Sequence, residues 1–377
     1  PAENIAKLPK GETVGMVVRI PGTDRNAKPI LFSAHMDVVD ARPEDWKRDP
    51  YKLIEENGYF FGRGTLDNKA GVVALMSTIL RFQKAGEKPR RTLVFAFVGD
   101  EETGLDEADG TTRQIAAHPW VKDAEFAINT DAGGGILAPD GTPMIYLVQG
   151  AEKTYASFEL TATNAGGHSS RPRADNAIHD LAKAVTRVGE YRFPVMSNDL
   201  TRAYLGAVGK GIPGPAGEAM VRFAANPEDS AAAEIIGNVP EFAGTTRTTC
   251  VTTMLDAGHA EKALAQKATA TVNCRIFPGV TVDEVREQLI KVVADPSVAL
   301  KVIGAPFASP VSELRSDVER TITQSIRSRY PKVAVSPYLE SGGTDGMVYR
   351  TVGIPTWASS GVFNKPDEMF AHGLDER

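Results

Sequence analysis

Short apolar runs, separated by polar and glycine-containing segments, dominate the first 150 residues of this 377-residue chain. The runs at 29–34 and 91–98 are rich in Leu, Val, Ile and Phe and are too short for independent helices, so they predict buried parallel strands. Residues 68–85 carry apolar side chains at helical spacing instead, which predicts a helix. Further strands are predicted at 14–20, 126–130 and 144–148. This β-α-β alternation indicates an α/β domain.

Near Gly150 the pattern changes, because residues 154–163 alternate polar and apolar side chains with a period of two. A predicted helix at 176–188, a Gly-, Pro- and Ala-rich stretch at about 194–240, two strand-like runs and a predicted helix at 282–293 follow. This order predicts a small α+β sheet domain with its helices on one face. From about residue 305 the first pattern resumes. The predicted division is one α/β domain formed by 1–150 and 306–377, with an inserted domain at 151–305.

Charged side chains and histidines stand directly after several apolar runs. They are His35, Asp67, Glu101, Glu102 and Asp131, with His372 near the end of the chain. In open α/β sheets the carboxyl ends of parallel strands meet at the edge where ligands bind, so we expect these residues to converge there. A set of histidines and carboxylates at that edge predicts a metal site.

Composition and charge exclude several classes of protein. With 42% hydrophobic and 24% charged residues, the chain has ordinary globular composition and is long enough for two cores. The net charge is −6, and no Lys/Arg run of the kind that follows a phosphate backbone occurs, so we expect no nucleic-acid partner. No apolar stretch approaches the roughly 20 residues that a membrane helix needs, so we expect a soluble chain without membrane contact.

The two cysteines, Cys250 and Cys274, each lie in one of the strand-like runs. If these runs pair antiparallel, the cysteines fall nearly opposite each other, and Cα atoms about 4.5–5.5 Å apart allow a disulfide. A bridge would indicate an oxidising compartment, whereas two reduced, half-buried thiols fit the pattern equally well. The compartment, cytoplasmic or else periplasmic or secreted, therefore stays open.

Eight short motifs occur in order across nearly the whole chain. They are AHMDVV, GRGTLDNKAG, GDEETG, NTDAGG, GGHSSRP, RIFPG, SGGTDG and AHGLDER. In this order they resemble the co-catalytic dizinc exopeptidase and deacylase family, which includes glutamate carboxypeptidase, aminoacylase, carnosinase-type dipeptidases, acetylornithine deacetylase and succinyl-diaminopimelate desuccinylase. The resemblance implies an α/β catalytic domain with a mixed sheet, interrupted by an α+β lid domain through which two copies form a homodimer.

The resemblance also implies a ligand set for two zinc ions per chain, with Co²⁺ or Mn²⁺ as alternative metals. His35 and Asp131 would hold one ion, Glu102 and His372 the other, and Asp67 would bridge the two. Asp37 would accept a hydrogen bond from the far ring nitrogen of His35 and so fix the tautomer of that ligand. A cis peptide bond is expected between Asp67 and Asn68.

Further roles follow from the same motifs. Glu101 would be the general base that takes a proton from the attacking water and later passes it to the leaving amine. His168 would reach a neighbouring active site across the dimer and stabilise the oxyanion. The groups implied to grip a substrate carboxylate are Arg275, Gly343 and Thr344.

The chain departs from the family pattern at one point: Lys262 stands where relatives carry an active-site Asn. A lysine could supply a positive charge there instead. The predicted function is a zinc-dependent hydrolase of a peptide bond next to a free carboxylate, most of all a carboxypeptidase or dipeptidase acting on small peptides. The alternatives are an N-acyl-amino-acid deacylase and, from another class, a non-catalytic protein that binds a metal or an amino acid.

Overall fold

A ten-stranded mixed sheet forms the centre of the protein in a computed structural model that describes residues 2–104, 109–365, 368 and 370–377. In spatial order its strands are β1 (Ile5–Lys10), β2 (Thr13–Ile20), β6 (Leu93–Val98), β3 (Ile30–His35), β7 (Phe126–Asn129), β17 (Thr356–Ala358), β9 (Pro143–Glu152), β8 (Gly134–Leu137) and β18 (Phe363–Asn364), and β16 (Ala334–Glu340) pairs with β9. The neighbours β6, β3, β7 and β17 run parallel, whereas β1, β2 and β6 pair antiparallel. The predicted α/β class with a mixed sheet is therefore confirmed.

Helices cover both faces of this sheet. Those of the structure are α1 (Lys69–Ala85), α2 (Glu101–Gly104), α3 (Thr111–Ala117), α4 (Ala177–Glu190), α5 (Asp199–Val208), α6 (Pro215–Ala225), α7 (Ser230–Gly237), α8 (Val282–Val293), α9 (Ser316–Arg327) and α10 (Gly346–Thr351). Leu75 of α1 packs against Phe95 and Phe97 on one face, while Ile115 of α3 and Val348 of α10 pack on the other. Strands buried on both faces explain the nearly continuous apolar runs in the sequence.

A second sheet of four strands, β12 (Thr249–Ala257), β14 (Lys267–Ile276), β10 (Thr154–Thr163) and β15 (Val298–Ile303), has its own core. Helices α4 and α8 pack on it through Leu181 and Leu289. Two short pairs, β4 (Ile54–Glu56) with β5 (Tyr59–Phe61) and β11 (Gly167–His168) with β13 (Ala263–Leu264), complete the strands. The period-two pattern that begins near residue 154 is thus an antiparallel sheet with one face under helices.

Three helices, α5, α6 and α7, occupy the Gly-, Pro- and Ala-rich stretch, for which the apolar pattern predicts no element. They enclose a small core that includes Leu205, Phe223 and Ile236. Tyr204 of α5 packs against Tyr338 of the ten-stranded sheet, with ring centroids 6.0 Å apart. Part of the 151–305 segment therefore packs on the first sheet, and the division at residues 150 and 305 stays a prediction.

The two cysteines form a disulfide between opposed residues of β12 and β14. The antiparallel pairing that the sequence predicts brings their Cα atoms to 4.1 Å. Of the two interpretations that the sequence leaves open, the bridge is the one confirmed. Among the helices of the described ranges, not one combines the length and the apolar composition required to cross a bilayer.

Candidate metal centre

The topology of the large sheet delivers three acidic or imidazole groups to one edge. His35 ends β3, Glu101 follows β6 after two residues, and Asp131 follows β7 after one. Because β6, β3 and β7 are parallel neighbours, their carboxyl ends meet at the same edge. The convergence predicted from the apolar runs is what the structure shows.

Two imidazoles stand at the centre of the assembled group, and each contacts two carboxylates. Nε2 of His35 lies 2.9 Å from Oδ1 of Asp67 and 3.1 Å from Oδ1 of Asp131. Nε2 of His372 lies 2.8 Å from Oε1 of Glu102 and 3.2 Å from Oδ2 of Asp67. Asp67 therefore turns one oxygen toward each imidazole, which is the arrangement expected of a carboxylate shared by two ions.

The segment around Asp67 is held where the first turn of α1 meets β7. The Asp67–Asn68 peptide is cis, as expected from the motif. The Asn68 side chain caps α1 by accepting from the N–H of Gly71, 3.2 Å away, and donates to Thr130 Oγ1 at 3.3 Å. A Cβ at Gly71 would lie 2.2 Å from Thr130 Oγ1, so only glycine allows this close approach. The NKAG sequence thus serves packing beside the carboxylates.

The carboxylates are crowded and partly buried. Burial raises the pKa of Asp131 to about 6, and the charge of Asp67 adds to the rise. Burial on its own would lower the pKa of His35, but the carboxylates of Asp131, Asp37 and Asp67 raise it overall. Such a concentration of negative charge is stable in ionised form when cations balance it. The donor set therefore fits divalent metal ions.

Glu101 differs from the other acidic residues of this edge. Among the described residues, its carboxylate is not within 4 Å of an imidazole nitrogen. One of its oxygens belongs to a group of possible ligand atoms from His35, Glu101 and Glu102 that lie within 4.8 Å of one another. Burial raises the pKa of Glu101 well above its usual value, and the charges of Asp131 and Asp345 raise it further. A carboxyl group that binds a proton more readily than usual is suited to proton transfer.

Asp37 contacts the residues at this edge of the sheet in a way that differs from the prediction. Nδ1 of His35 bonds to the backbone carbonyl of Asp37 at 3.0 Å, while the Asp37 carboxylate lies 3.6 Å away. That carboxylate instead accepts from the backbone N–H groups of Glu101 and Glu102, at 3.1 and 2.9 Å. It caps the single turn of α2, so it fixes the two glutamates as well as His35.

A cavity of about 1010 Å³ adjoins these residues and is lined from both sheets. Arg275 of β14 and Tyr155 of β10 line it from the smaller sheet, and the Arg275 guanidinium lies 4.9 Å from the Tyr155 ring centroid. The loop of residues 342–344 lines it from the larger sheet. The acidic groups of this edge and the Arg275 guanidinium therefore line the same cavity.

The family model described as Peptidase family M20/M25/M40 matches residues 31–377. The chain belongs to this family. The resemblance predicted from the eight motifs is therefore confirmed. Among similar proteins, "Probable carboxypeptidase S-like 2" of Dictyostelium discoideum is 29% identical over 367 residues, which cover 94% of this chain and 69% of the relative. The human "N-fatty-acyl-amino acid synthase/hydrolase" is 30% identical over 371 residues, covering 95% of this chain and 72% of the relative.

Solved structures of M20 proteins share the fold. An M20 family metallo-carboxypeptidase from Sulfolobus solfataricus aligns with a TM-score of 0.70 and 19% identity, over 99% of this chain and 85% of the other. Human carnosine dipeptidase 1 aligns with a TM-score of 0.64 and 16% identity, over 99% of this chain and 82% of the other.

Of the residues that M20 motifs connect with substrate, Thr344 is committed elsewhere. Its N–H and hydroxyl both donate to Glu152, at 2.9 and 2.8 Å, and Glu152 is also paired with Arg350. A buried carboxylate thus already binds the N–H and the hydroxyl of Thr344, and a role of Thr344 in substrate binding stays a prediction. Within the described ranges the Gly343 N–H has no hydrogen-bond acceptor, so Gly343 and Arg275 remain as donors that face the cavity.

His168 lies outside this cavity, on an exposed two-residue strand. Its Nδ1 is 2.8 Å from Ser170 Oγ. Its strand partner is Ala263, so Lys262 lies beside it, and the backbone carbonyl of Lys262 accepts from the Ser169 N–H at 3.0 Å. Neither His168 nor Lys262 approaches the carboxylates of its own chain's cavity.

Glu376, the glutamate of the AHGLDER motif, is a buried residue whose role the sequence does not reveal. Its Oε1 accepts from the N–H groups of Leu66 and Asp67, at 2.9 and 3.0 Å, and its Oε2 pairs with Arg63 at 2.7 Å. The segment that carries His372 is thereby tied to the segment that carries Asp67. The signal for this contact is only the short spacing of Glu376 from His372.

We expect Glu376→Gln to weaken zinc binding about 10- to 100-fold, which is the usual effect of removing a residue that positions a metal ligand through hydrogen bonds. The variant leaves the Arg63 guanidinium buried without its carboxylate and loosens the acceptor for the Asp67 N–H. Zinc affinity measured by competition with a chelator checks this. Glu287→Gln, on the exposed side of α8, is the matched control and should bind zinc like the parent. Unchanged zinc affinity in the Glu376 variant would contradict the assignment.

Proposed function

We propose that this protein is a dizinc hydrolase of amide bonds in small substrates that carry a free carboxylate. The observation that carries the proposal is the pair of imidazoles, His35 and His372, each lying between two carboxylates and sharing Asp67. Imidazole and carboxylate groups are the ligands that zinc prefers, and paired zinc sites need one shared anionic ligand. Membership of the M20 family supports the same chemistry.

These contacts support a set of ligand roles. His35 and Asp131 would hold one ion, Glu102 and His372 the other, and Asp67 would be shared by the two. When bound, the two ions polarise the amide carbonyl and make a water acidic enough to attack at neutral pH. Co²⁺ and Mn²⁺ accept the same ligands and remain alternatives.

Glu101 acts as the proton carrier. It takes a proton from the attacking water and delivers it to the nitrogen of the leaving amine, so that the C–N bond breaks with a neutral leaving group. Its backbone is fixed by Asp37, which orients Glu102 with the same carboxylate. One of the two neighbouring glutamates can therefore serve as a ligand while the other stays free to move a proton.

Arg275 and the Gly343 N–H bind the free carboxylate of the substrate. Both face the cavity, and a guanidinium binds a carboxylate through two parallel hydrogen bonds. Because these donors and the metal centre line one cavity, a substrate held by its carboxylate would have its scissile bond close to that carboxylate. Carboxypeptidase and dipeptidase reactions meet this requirement.

An N-acyl-amino-acid deacylase is the second candidate, and the apolar wall of the cavity favours it. Ala70, Ala74, Met347, Phe307 and Val362 line the cavity, whose volume of about 1010 Å³ exceeds the needs of a dipeptide. Relatives named as N-fatty-acyl-amino acid hydrolases and as aminoacylase-1 support this candidate. A non-catalytic binding protein is the alternative from another class.

A homodimer through the smaller sheet completes the proposal. The edge strand β12 exposes Val251, Met254 and Leu255, and an exposed apolar edge strand is unusual unless another chain covers it. Such a dimer could bring His168 of one chain to the cavity of the other. The disulfide between Cys250 and Cys274 supports an oxidising compartment for the protein.

We expect Glu101→Gln to lower kcat by a factor of about 10²–10⁴ while both zinc ions stay bound, because the amide cannot carry the proton. Hydrolysis rates and zinc content per chain are the measurements, with Glu287→Gln as control. A variant with full turnover would remove Glu101 from the mechanism. A parent protein with no turnover and full zinc content would favour the binding-protein alternative.

A substrate panel separates the two candidates. We expect free-acid dipeptides to be cleaved with kcat/KM at least about ten times that of their C-terminal amides, since only the acid can pair with Arg275. The panel also contains N-acyl amino acids with acyl chains of two to sixteen carbons. A steady rise of kcat/KM with acyl length, above the dipeptide values, would make the deacylase the better description. Equal rates for acids and amides would contradict the carboxylate requirement.

Mixing two inactive variants tests the shared site. We expect His168→Ala and Glu101→Gln each to be nearly inactive, and a refolded or co-expressed equal mixture to recover about a quarter of the parent activity per chain. Random pairing makes about half of the dimers mixed, and each mixed dimer holds one complete site out of two. Sedimentation of the parent protein gives the oligomeric state. Absence of recovery in mixtures that demonstrably contain mixed dimers would contradict the contribution of His168 across the interface.

A further inference from the structure

Lys153 is a buried cation that the mechanism above does not use. It stands where β9 of the large sheet passes into β10 of the smaller one, and its side chain is 0% exposed. Its Nζ donates to the backbone carbonyl of Arg247 at 2.7 Å. Among the described residues no carboxylate oxygen lies within 4 Å of Nζ, so the charge has no ion-pair partner there.

Two other buried cations of the protein have an ion-pair partner. Arg63 is paired with Glu376 at 2.7 Å, and Arg350 is paired with Glu152. Burying a charge without an opposite charge costs several kcal/mol, which proteins normally avoid by pairing it. An unpaired buried lysine therefore indicates either a backbone anchor or a site whose counter-charge arrives with a ligand.

The position of Lys153 favours the ligand. Its backbone N–H donates to the carbonyl of Glu340 at 3.0 Å, and a Cβ on Gly244 would lie 3.3 Å from its Nζ and 3.5 Å from Ser341 Oγ. Ser341 opens the loop whose next two residues line the cavity. The Lys153 ammonium and the Ser341 hydroxyl are thus both neighbours of Gly244, so the charge lies beside the loop that lines the cavity.

The charges of the side chains around Arg275 also do not balance. Arg275 lines the cavity and stacks on Tyr155 rather than on a carboxylate. Glu340 is the acidic side chain close by, and it accepts from the N–H groups of Ser341 and Gly342, at 2.7 and 3.1 Å. Two cations and one anion leave a net charge of one, which one carboxylate of a ligand would neutralise.

We propose that Lys153 is a positioning residue for substrate charge: it supplies a second, buried positive charge behind the 341–343 loop, and together with Arg275 it sets the affinity for the free carboxylate of the substrate. This inference rests on the proposed function, since it concerns the carboxylate end of the same cavity. The charge acts through space and through the loop, so it affects binding and leaves the bond-breaking step alone.

The ionisation of Lys153 gives the proposal a signature in pH. Burial lowers the pKa of Lys153 to about 8, and the charge of Arg275 on β14 lowers it further. Of the neighbouring acids, Glu340 at the end of β16 lines the cavity, and Glu152 at the end of β9 is paired with Arg350. A carboxylate bound nearby favours the charged form of Lys153. The affinity of the protein for that carboxylate should therefore be constant below pH 8 and fall as pH rises through that value, where Lys153 loses its proton.

The first test compares Lys153→Met with the parent holoenzyme on alanyl-leucine and alanyl-leucinamide. We expect KM for the acid to rise on the order of ten-fold, as Coulomb attraction over about 10 Å at an effective dielectric near 20 predicts. Its kcat and the KM for the amide should stay within two-fold. Lys267→Met, at the exposed start of β14, is the matched control and should change neither. Equal shifts for acid and amide would reduce Lys153 to a structural anchor and overturn the proposal.

The second test needs no change at Lys153 and no turnover. Calorimetry with zinc-loaded Glu101→Gln protein measures binding of N-acetyl-leucine and of N-acetyl-leucinamide from pH 6.5 to 9.5. We expect the affinity of the acid, relative to the amide, to fall above pH 8, whereas a flat ratio would overturn the proposal even if Lys153→Met does not fold. Failure of the proposed function would appear separately, as binding without hydrolysis of any substrate by the parent.

Discussion

The shared position of Asp67 between two imidazoles is the constraint on which the rest of this site depends. A carboxylate can serve two neighbouring ions only if each oxygen faces a different one, and the two oxygens of Asp67 face His35 and His372. These histidines come from β3 and from the last residues of the chain, so the site forms only when distant segments meet. Several hydrogen bonds nearby hold these segments together.

Two carboxylates beside the metal centre act as anchors for backbone. Asp37 binds the N–H groups of Glu101 and Glu102, and Glu376 binds those of Leu66 and Asp67. Hydrogen bonds from backbone N–H groups to a carboxylate are shorter and stronger than those between neutral groups. Side chains on loops gain rigidity in this way, because the loop backbone is bonded to an acidic side chain of another segment.

Sequence reasoning succeeded where the signal is local. Apolar runs followed by His35, Glu101 and Asp131 predict the converging strand ends, because the geometry of a parallel sheet fixes where such residues go. The pairing of Cys250 with Cys274 follows equally from strand register. The motifs supplied the family and, with it, the expectation of a cis bond at Asp67.

What the sequence did not reveal depends on contacts between distant residues. Nδ1 of His35 bonds to a carbonyl rather than to a carboxylate, and Thr344 donates to Glu152. In both cases several acceptors lie nearby, and the packing of distant segments determines which one is used. Helices α5 to α7 were missed because their apolar residues pack mainly on one another, in a stretch rich in small residues that weaken the helical pattern.

The cavity suggests how one fold can serve both peptides and N-acyl amino acids. In the proposed function, the Arg275 guanidinium that lines the cavity attracts the substrate carboxylate. A substrate held there by its carboxylate leaves the other side of the scissile bond to meet apolar residues such as Met347 and Val362. Apolar walls discriminate weakly between similar groups, whereas a charged site rejects an uncharged analogue strongly. The carboxylate is therefore the fixed part of the substrate, and the acyl or aminoacyl part is the one that this cavity leaves free to vary.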